Sequence, residues 1–325
     1  AIKNMLRRRR PAIYVDSIFY FVNFLQFKNK SSSAVFVHWS AVHPVLSQIF
    51  AKAVSAREIE VLRAIYQIIG MKSYLCWFFS SRTAASVIAA KSLDIRTVGL
   101  MHGAATNKWM AVEYMTAFTG MKRLGPDIYG VWSEWWRKYY LKNSKLYEKI
   151  EVCGMQRLPN EGTPKRKCFS KSALWISEPL ESYENVRPFV LRMVQDGWRV
   201  TIRRRPFPHD SFFDDFVRDC ELSRLIQVSS DSMNRSFERH SLIVGSHSTA
   251  VLEAVLYNRN FILFQTKRWG NYFELDEAYL INSVDQISDL LGKIECQDIE
   301  ATRSKYFGSR SDCAVPWIIE RLKYQ

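Results

Sequence analysis

Short apolar runs alternate with longer, helix-compatible stretches along the chain. In the first half the runs are "AVFVHW" (34–39), "YLCWFF" (74–79), "TVGLMHG" (97–103), "PDIYGVWS" (126–133) and "KIEVCG" (149–154). In the second half they are "ALWIS" (173–177), "RVTIRR" (199–204), "LIQV" (225–228), "LIVGS" (242–246) and "FILF" (261–264). Such runs are typical of buried strands. Their alternation with helices predicts an α/β architecture of parallel sheets wrapped by helices.

The alternation stops between residues 159 and 171, where "PNEGTPKRKCFSK" combines proline, glycine and charge without periodicity. The chain has 325 residues, which exceeds the size at which one hydrophobic core usually stops growing. We therefore predict two tandem Rossmann-like, doubly wound domains with a cleft between them, at 1–158 and 172–325, joined by a linker at 159–171. Because the chain opens with Ala1, we expect the first domain to lack its beginning.

Composition and charge narrow the class of protein. The chain is 47% hydrophobic and 24% charged, which is typical of a globular protein and excludes general disorder. Its formal net charge of +14 indicates an acidic partner. The total charge does not choose among a nucleic acid, an anionic membrane surface and a phosphorylated small molecule.

The cysteines and the hydropathy pattern indicate the compartment. The six cysteines are scattered without a C-x-x-C pair, so we expect reduced thiols in a cytoplasmic protein. No run approaches the roughly 20 apolar residues that cross a bilayer.

The stretch "LIVGSHSTAVLEAVLYN" (242–258) places hydroxyl side chains where a buried strand meets a helix. Gly245 permits a tight turn, Ser246 follows it, and Ser248 or Thr249 caps the predicted helix. A helix N-terminus carries free N–H groups and a partial positive charge, so these hydroxyls would form a phosphate cradle. The alternative is that Ser248 acts only as an N-cap.

Arginine side chains follow another predicted strand, in "RVTIRRRP" (199–206). Arg203 and Arg205 would emerge at the same sheet edge as the hydroxyls, and guanidinium groups suit phosphate oxygens. The alternative is a solvated basic strand end.

Two further side chains follow strand ends. His102, at the end of "TVGLMHG", can take up a proton at neutral pH, although a buried, hydrogen-bonded histidine is the alternative interpretation. Glu178 follows the strand at 173–177, where it would face the cleft or cap the next helix.

Taken in order, these motifs resemble those of GT-B glycosyltransferases. The similarity covers roughly residues 74–325. More narrowly, the motifs are similar to those of the bacterial surface-polysaccharide transferases, which include sialyl-, polysialyl- and Kdo transferases and CDP-glycerol glycerophosphotransferases. It rests on "AAKSLDIRTVGLMHG", "GPDIYGVWSEW", "KIEVCGMQRL" and "GSHSTAVLEA". The family's K-x-H-P strand end is altered here, with Arg203 at the lysine position and Arg205 at the histidine position. The change keeps the positive charge and removes a titratable group.

The resemblance implies a glycosyltransferase that moves a sugar from a nucleotide-linked donor, with CMP-sugars favoured, to a surface polysaccharide or glycolipid of the capsule or lipopolysaccharide type. The donor site would comprise Glu178, Arg203, Arg205, Ser246, Ser248, Thr249 and Glu253. Glu253 would approach the ribose. The first domain would bind the acceptor, with His102 as catalytic base and Glu113 in reserve, and the chain would end in a helix that crosses back to it. No metal and no cofactor are expected.

Other functions are also compatible with the motifs. A non-hydrolysing nucleotide-sugar epimerase and a CDP-polyol phosphotransferase would use the same fold. A basic nucleic-acid-binding protein would use the +14 charge, but no nucleic-acid motif accompanies it beyond the aromatic and basic stretch "EWWRKYY", so we expect no nucleic acid partner. The arginines near the start would contact anionic lipid at the inner face of the membrane or form a solvated tail: Arg7, Arg8, Arg9 and Arg10.

Overall fold

A computed structural model describes residues 44–76, 83–104, 125–144, 146–156, 170–177, 183–204, 211–219, 221–246, 248–265, 271, 273–309 and 313–323. The predicted strand at 34–39 and most of the predicted linker lie outside these residues.

Two sheets organise the described chain. The first has the strand order β1-β2-β3-β4, with β1 Ser73–Cys76, β2 Arg96–Leu100, β3 Ile128–Val131 and β4 Lys149–Val152. The second has the order β10-β9-β8-β5-β6-β7, with β5 Ser172–Ile176, β6 Arg199–Arg203, β7 Gln227–Ser229, β8 Leu242–Gly245, β9 Asn260–Phe264 and β10 Leu280–Ile281. Neighbouring strands of the second sheet pair in parallel. The predicted α/β class with parallel sheets is confirmed.

The six-stranded sheet is doubly wound. Its first strand along the chain, β5, lies in the middle, with β6 and β7 on one side and β8, β9 and β10 on the other. The chain therefore reverses its direction of winding between β5 and β8. In sheets of this kind, ligands bind outside the carboxyl ends of the strands at that reversal.

The strands are connected by helices: α1 Pro44–Ile68, α2 Ala84–Lys91, α3 Glu134–Asn143, α4 Tyr183–Gln195, α5 Ser211–Arg218, α6 Leu222–Leu225, α7 Met233–Arg239, α8 Thr249–Leu252, α9 Ile287–Lys293, α10 Ile299–Phe307 and α11 Ala314–Leu322. Short 3₁₀ helices add Glu253–Tyr257, Glu277–Tyr279, Val284–Gln286 and Ile294–Cys296. In the part of the chain that the structure describes, none of these helices has the length and apolarity of a bilayer span.

Helix α4 shows how the second sheet is covered. Its apolar residues recur at helical spacing, so they form one stripe: Val186, Phe189, Val190 and Met193. This stripe is buried in one core with the strand residues Trp175 and Val244 and with α9. The apolar strand runs of the sequence are therefore the interior of the sheet.

The described residues form two compact units, 44–74 with 83–97 and 75–76 with 98–323. In the first unit, Leu62 and Tyr66 of α1 are buried, and the Tyr66 ring lies 6.0 Å from that of Tyr74. All the candidate site residues that the structure describes belong to the second unit. The predicted domain boundaries stay a prediction.

Within the second unit, helix α11 packs against strand β4 of the first sheet. Ala314 donates its backbone N–H to the Met155 carbonyl at 3.1 Å, and Ala314 and Ile318 share a core with Leu100 and Cys153. These contacts fix the end of the chain beside β2 and β4.

A charged contact accompanies this apolar one. The Glu151 carboxylate accepts hydrogen bonds from Trp317 Nε1 and Arg321 Nε, each at 2.8 Å, and pairs with Lys149 Nζ at 2.5 Å. Burial raises the pKa of Glu151, but the hydrogen bonds from Lys149, Arg321 and Trp317 outweigh it and lower the pKa to about 2. The carboxylate is therefore charged at neutral pH and stabilises the docked helix.

We predict that Glu151→Gln lowers the free energy of unfolding at pH 7 by about 1 kcal/mol, the usual net value of one hydrogen bond. Because a free glutamate titrates near pH 4.3 and Glu151 near 2, the carboxylate stabilises the fold above about pH 5, and this contribution is lost as the pH falls toward 2. Urea unfolding at pH 7 and pH 3 tests this.

Glu134→Gln is the matched control, since Glu134 pairs with Arg137 on an exposed helix surface where such pairs contribute little. Equal stability of both variants at pH 7 would contradict the proposed role of Glu151.

Candidate functional site

The carboxyl ends of β6, β5 and β8 lie level at the point where the winding reverses. Ile176 pairs with Arg203, and Trp175 pairs with Val244, so Gly245 is the residue beside Ile176. Ser177 continues the row by donating its backbone N–H to the Arg203 carbonyl at 3.2 Å. With strands about 4.8 Å apart, the α-carbons of Arg203 and Gly245 are separated by roughly 10 Å. One sheet edge therefore carries both the predicted arginine and the predicted hydroxyl cluster.

The turn after β8 is tight because of Gly245. A Cβ at this position would lie 2.6 Å from Val251 Cγ2, so a side chain here would push α8 away from the sheet. Ser246 is buried at the turn. Ser248 stands at the N-cap of α8 with an extended backbone, but its side chain makes no capping hydrogen bond.

The helix that follows is shorter than the sequence suggests. The pattern predicts one continuous helix after Ser248, whereas the structure has α8 at Thr249–Leu252 and then the 3₁₀ helix Glu253–Tyr257. Glu253 is half-buried, and it lies in the 3₁₀ segment rather than in the first turns of a regular helix. The wide apolar surface of 251–257 explains the difference, since Val251, Leu252, Ala254 and Val255 are all fully buried and packing decides the local geometry.

Arg203 is partly shielded from water at the end of β6. Its Nε is buried and has no hydrogen-bond partner among the described residues, while its Nη1 makes only a long contact of 3.5 Å with the Arg204 carbonyl. Burial lowers the pKa of Arg203. A shielded guanidinium with an unused N–H group is costly unless an anion satisfies it, so this side chain is suited to binding one.

The carboxyl end of β2 reaches the same turn. Ala104 donates its backbone N–H to Thr249 Oγ1 at 2.8 Å. Gly103, which precedes Ala104, suits this close approach, because a Cβ there would lie 3.1 Å from the same oxygen and would require a small shift. His102 is exposed to solvent next to this contact. The structure therefore brings the segment 102–104 to Thr249, whereas the sequence could only assign His102 and Thr249 to separate strand ends.

Two residues that the sequence analysis did not single out support the end of β2. Trp132 Nε1 and Gln156 Nε2 donate to the Met101 carbonyl at 3.1 Å and 2.9 Å. Trp132 follows β3 and Gln156 follows β4. The rule that ligand-binding residues follow strand ends could have pointed to both, but no unusual residue type marked them.

Three of the predicted site residues, Glu113, Glu178 and Arg205, lie outside the described residues, as do Arg7, Arg8, Arg9 and Arg10. Their roles stay predictions. Within the described ranges, no group of three or more His, Cys, Asp or Glu side chains is arranged to hold a metal ion.

Three of the four aromatic residues of "EWWRKYY" are buried and structural. Trp136, Tyr139 and Tyr140 are buried on α3, and Trp136 Nε1 donates to the Tyr306 carbonyl of α10 at 2.9 Å. Buried rings cannot stack on nucleic acid bases. This stretch therefore gives no support to the nucleic-acid alternative.

Comparisons with known proteins were made by sequence and by structure. No protein-family profile matches the sequence, and no curated protein matches it either. The structure of S. aureus MnaA with UDP has a TM-score of 0.56 at 11% identity, over 84% of this chain and 81% of that one. The UDP-GlcNAc 2-epimerase from Neisseria meningitidis bound to UDP-GlcNAc has a TM-score of 0.54 at 12% identity, over 83% and 81%.

The fold is GT-B-like. A complex of S. aureus TarM with fondaparinux, α-GlcNAc-glycerol and UDP agrees with this, with a TM-score of 0.54 at 12% identity over 82% of this chain. The match spans only 59% of that TarM chain. At these identities the comparisons establish the two Rossmann-like sheets, and the assignment of individual site residues rests on the local geometry.

We predict that Thr249→Val breaks the contact with Ala104, since valine matches threonine in shape but cannot accept a hydrogen bond. The Ala104 amide should then exchange with solvent about 3- to 10-fold faster, as expected for the loss of roughly 1 kcal/mol. Thr249→Ser is the control, because it keeps the hydroxyl. Amide exchange measured by NMR tests this, and equal rates in the two variants would show that the hydroxyl does not hold Ala104.

Proposed function

We propose that the protein is a nucleotide-sugar-dependent glycosyltransferase that takes its donor at the carboxyl edge of the six-stranded sheet. The observation that carries the proposal is the 2.8 Å hydrogen bond between Ala104 and Thr249. It joins the segment that holds a solvent-exposed histidine to the turn that holds the hydroxyls. This contact between the two segments supports a base at His102 that acts beside a leaving-group site at the turn.

The donor phosphate would lie against Arg203, Arg205 and the hydroxyls of Ser246, Ser248 and Thr249. Three observations on Arg203 support this: its shielded Nε has no partner among the described residues, its position is level with Gly245, and the sheet reverses beside it. Arginine stabilises the charge that develops on a leaving phosphate without a metal ion. Glu178 and Glu253 would approach the nucleoside.

His102 would act as the catalytic base toward an acceptor hydroxyl. An imidazole can accept a proton at neutral pH, and the solvent exposure of His102 leaves room for an acceptor. Transfer would then proceed by direct displacement at the anomeric carbon, with Glu113 as the alternative base. This role requires His102 to lie near the donor sugar, which the Thr249 contact supports.

A pyrimidine nucleotide is the donor class that we propose. The sequence motifs favour a CMP-linked sugar, whereas UDP is the nucleotide in the MnaA, TarM and epimerase complexes with a similar fold. We propose a surface polysaccharide or glycolipid as the acceptor. Transfer would take place on the cytoplasmic side, with Arg7–Arg10 in contact with an anionic membrane.

The second candidate is an epimerase, favoured by the structural similarity to the Neisseria UDP-GlcNAc 2-epimerase. The same donor site would serve both reactions. Incubation with UDP-GlcNAc and CMP-sugars in the absence of any acceptor separates the two, because only an epimerase forms a new sugar under those conditions.

We predict that CMP, CDP or UDP raises the melting temperature and that Arg205→Ala weakens the affinity for that nucleotide roughly 10- to 100-fold, as expected for a lost charge-assisted hydrogen bond. Calorimetry with the nucleotide that gives the largest thermal shift tests this.

Arg218→Ala is the control, since Arg218 is 73% exposed on α5 and pairs with Asp215. Unchanged affinity in Arg205→Ala would refute the phosphate assignment, and the absence of binding by every nucleotide would refute the donor site itself.

A further inference from the structure

The backbone on both sides of His102 is held by hydrogen bonds to other parts of the chain. On one side, the Met101 N–H donates to the Gly130 carbonyl at 2.8 Å, and the Met101 carbonyl accepts from Trp132 and Gln156. On the other side, Ala104 donates to Thr249. Only His102 and Gly103 lie between these two fixed peptides.

Gln156 closes a ring of hydrogen bonds on the first side. Its Oε1 accepts from Trp132 Nε1 at 3.1 Å, and its Nε2 donates to the Met101 carbonyl at 2.9 Å. The indole can only donate and the carbonyl can only accept, so a single orientation of the amide satisfies both. A glutamine fits this position, whereas a glutamate or an apolar side chain of the same length does not.

The surroundings make the ring rigid. Trp132 is 1% exposed and Met101 is fully buried, and the Trp132 ring stacks on Phe307 with centroids 5.4 Å apart. Since Trp132 is fixed by the core, Gln156 cannot move without breaking both of its hydrogen bonds. The Met101 carbonyl at the end of β2 is thereby aligned with the segments that follow β3 and β4.

We propose that Gln156 is a positioning residue for His102. This inference rests on the proposed function, in which His102 is the base. By fixing the Met101 carbonyl, Gln156 sets the point at which the backbone leaves the sheet toward His102. Thr249 fixes the backbone again at Ala104, two residues after His102. Misplacement of a catalytic group by about 1 Å can cost 10²-fold in rate, so the positioning of this peptide bears directly on turnover.

The test compares Gln156→Met and Gln156→Glu with a matched control, Gln227→Met, on the exposed edge strand β7. Methionine removes both hydrogen bonds at nearly constant volume. Glutamate keeps the acceptor for Trp132 but places an oxygen against the Met101 carbonyl. Each variant is examined in the full chain by turnover, by calorimetry with the best-binding nucleotide, and by NMR titration of the His102 ring, whose signal is assigned by its loss in His102→Gln.

We expect both variants at position 156 to lower kcat roughly 10- to 100-fold with KM for the donor within about twofold, and to move the titration midpoint of the His102 ring. The control Gln227→Met should leave kcat, KM and the titration midpoint of the His102 ring unchanged. A purely structural role would lower the melting temperature and leave the His102 titration unchanged.

The experiment distinguishes a failure of the positioning role of Gln156 from a failure of the proposed function. If the His102 titration and kcat of both variants match those of the wild type while His102→Gln is inactive, the positioning role of Gln156 is wrong and the proposed function stands. If His102→Gln keeps wild-type turnover, His102 is not the base and the proposed function must change.

Discussion

The hydrogen bond from the Ala104 amide to the Thr249 hydroxyl is the contact on which the candidate site depends. It is short, at 2.8 Å, and it joins residues that are 145 positions apart in the sequence. Gly103 suits this close approach, since a Cβ there would lie only 3.1 Å from the Thr249 hydroxyl oxygen. Without this bond, a histidine at one strand end and a hydroxyl cluster at another would be two unrelated features.

The geometry behind that bond comes from parallel sheets. All strands of the second sheet end on the same edge, so Arg203 and Gly245 both lie there although they are 42 positions apart in the sequence. The same rule gathers Met101, Trp132 and Gln156 at the edge of the first sheet. Burial then sets the electrostatics, since the shielded Nε of Arg203 favours an anion more strongly than an exposed arginine would.

Much of this could be predicted from the sequence, because buried strands have a distinctive composition. The runs at 173–177, 199–204, 242–246 and 261–264 coincide with β5, β6, β8 and β9. Strand β10 was not predicted, since its two residues are too few to form a pattern. The prediction of a regular helix after Ser248 is wrong in part. Core packing of residues 251–257 imposes a 3₁₀ segment, which helix propensity does not indicate.

The sequence allowed the residues of the candidate site to be predicted from their types, but it did not allow the contacts between them to be predicted. Histidine, arginine and hydroxyl side chains that follow strands have recognisable chemistry, so His102, Arg203 and Thr249 could be named as candidates in advance. Gln156 and Trp132 also follow strand ends, but residue type did not mark them, since a glutamine and a tryptophan have ordinary uses throughout a protein. The pairing of Thr249 with Ala104 depends on the tertiary structure alone.

Amide exchange with and without bound nucleotide tests the central claim most directly. If the donor phosphate binds at the carboxyl edge beside the reversal of the sheet, CMP or UDP should slow exchange at residues 245–255 and at 102–104 together, because Thr249 links the two segments. If the nucleotide binds but amide exchange slows only in other parts of the chain, the result contradicts the account.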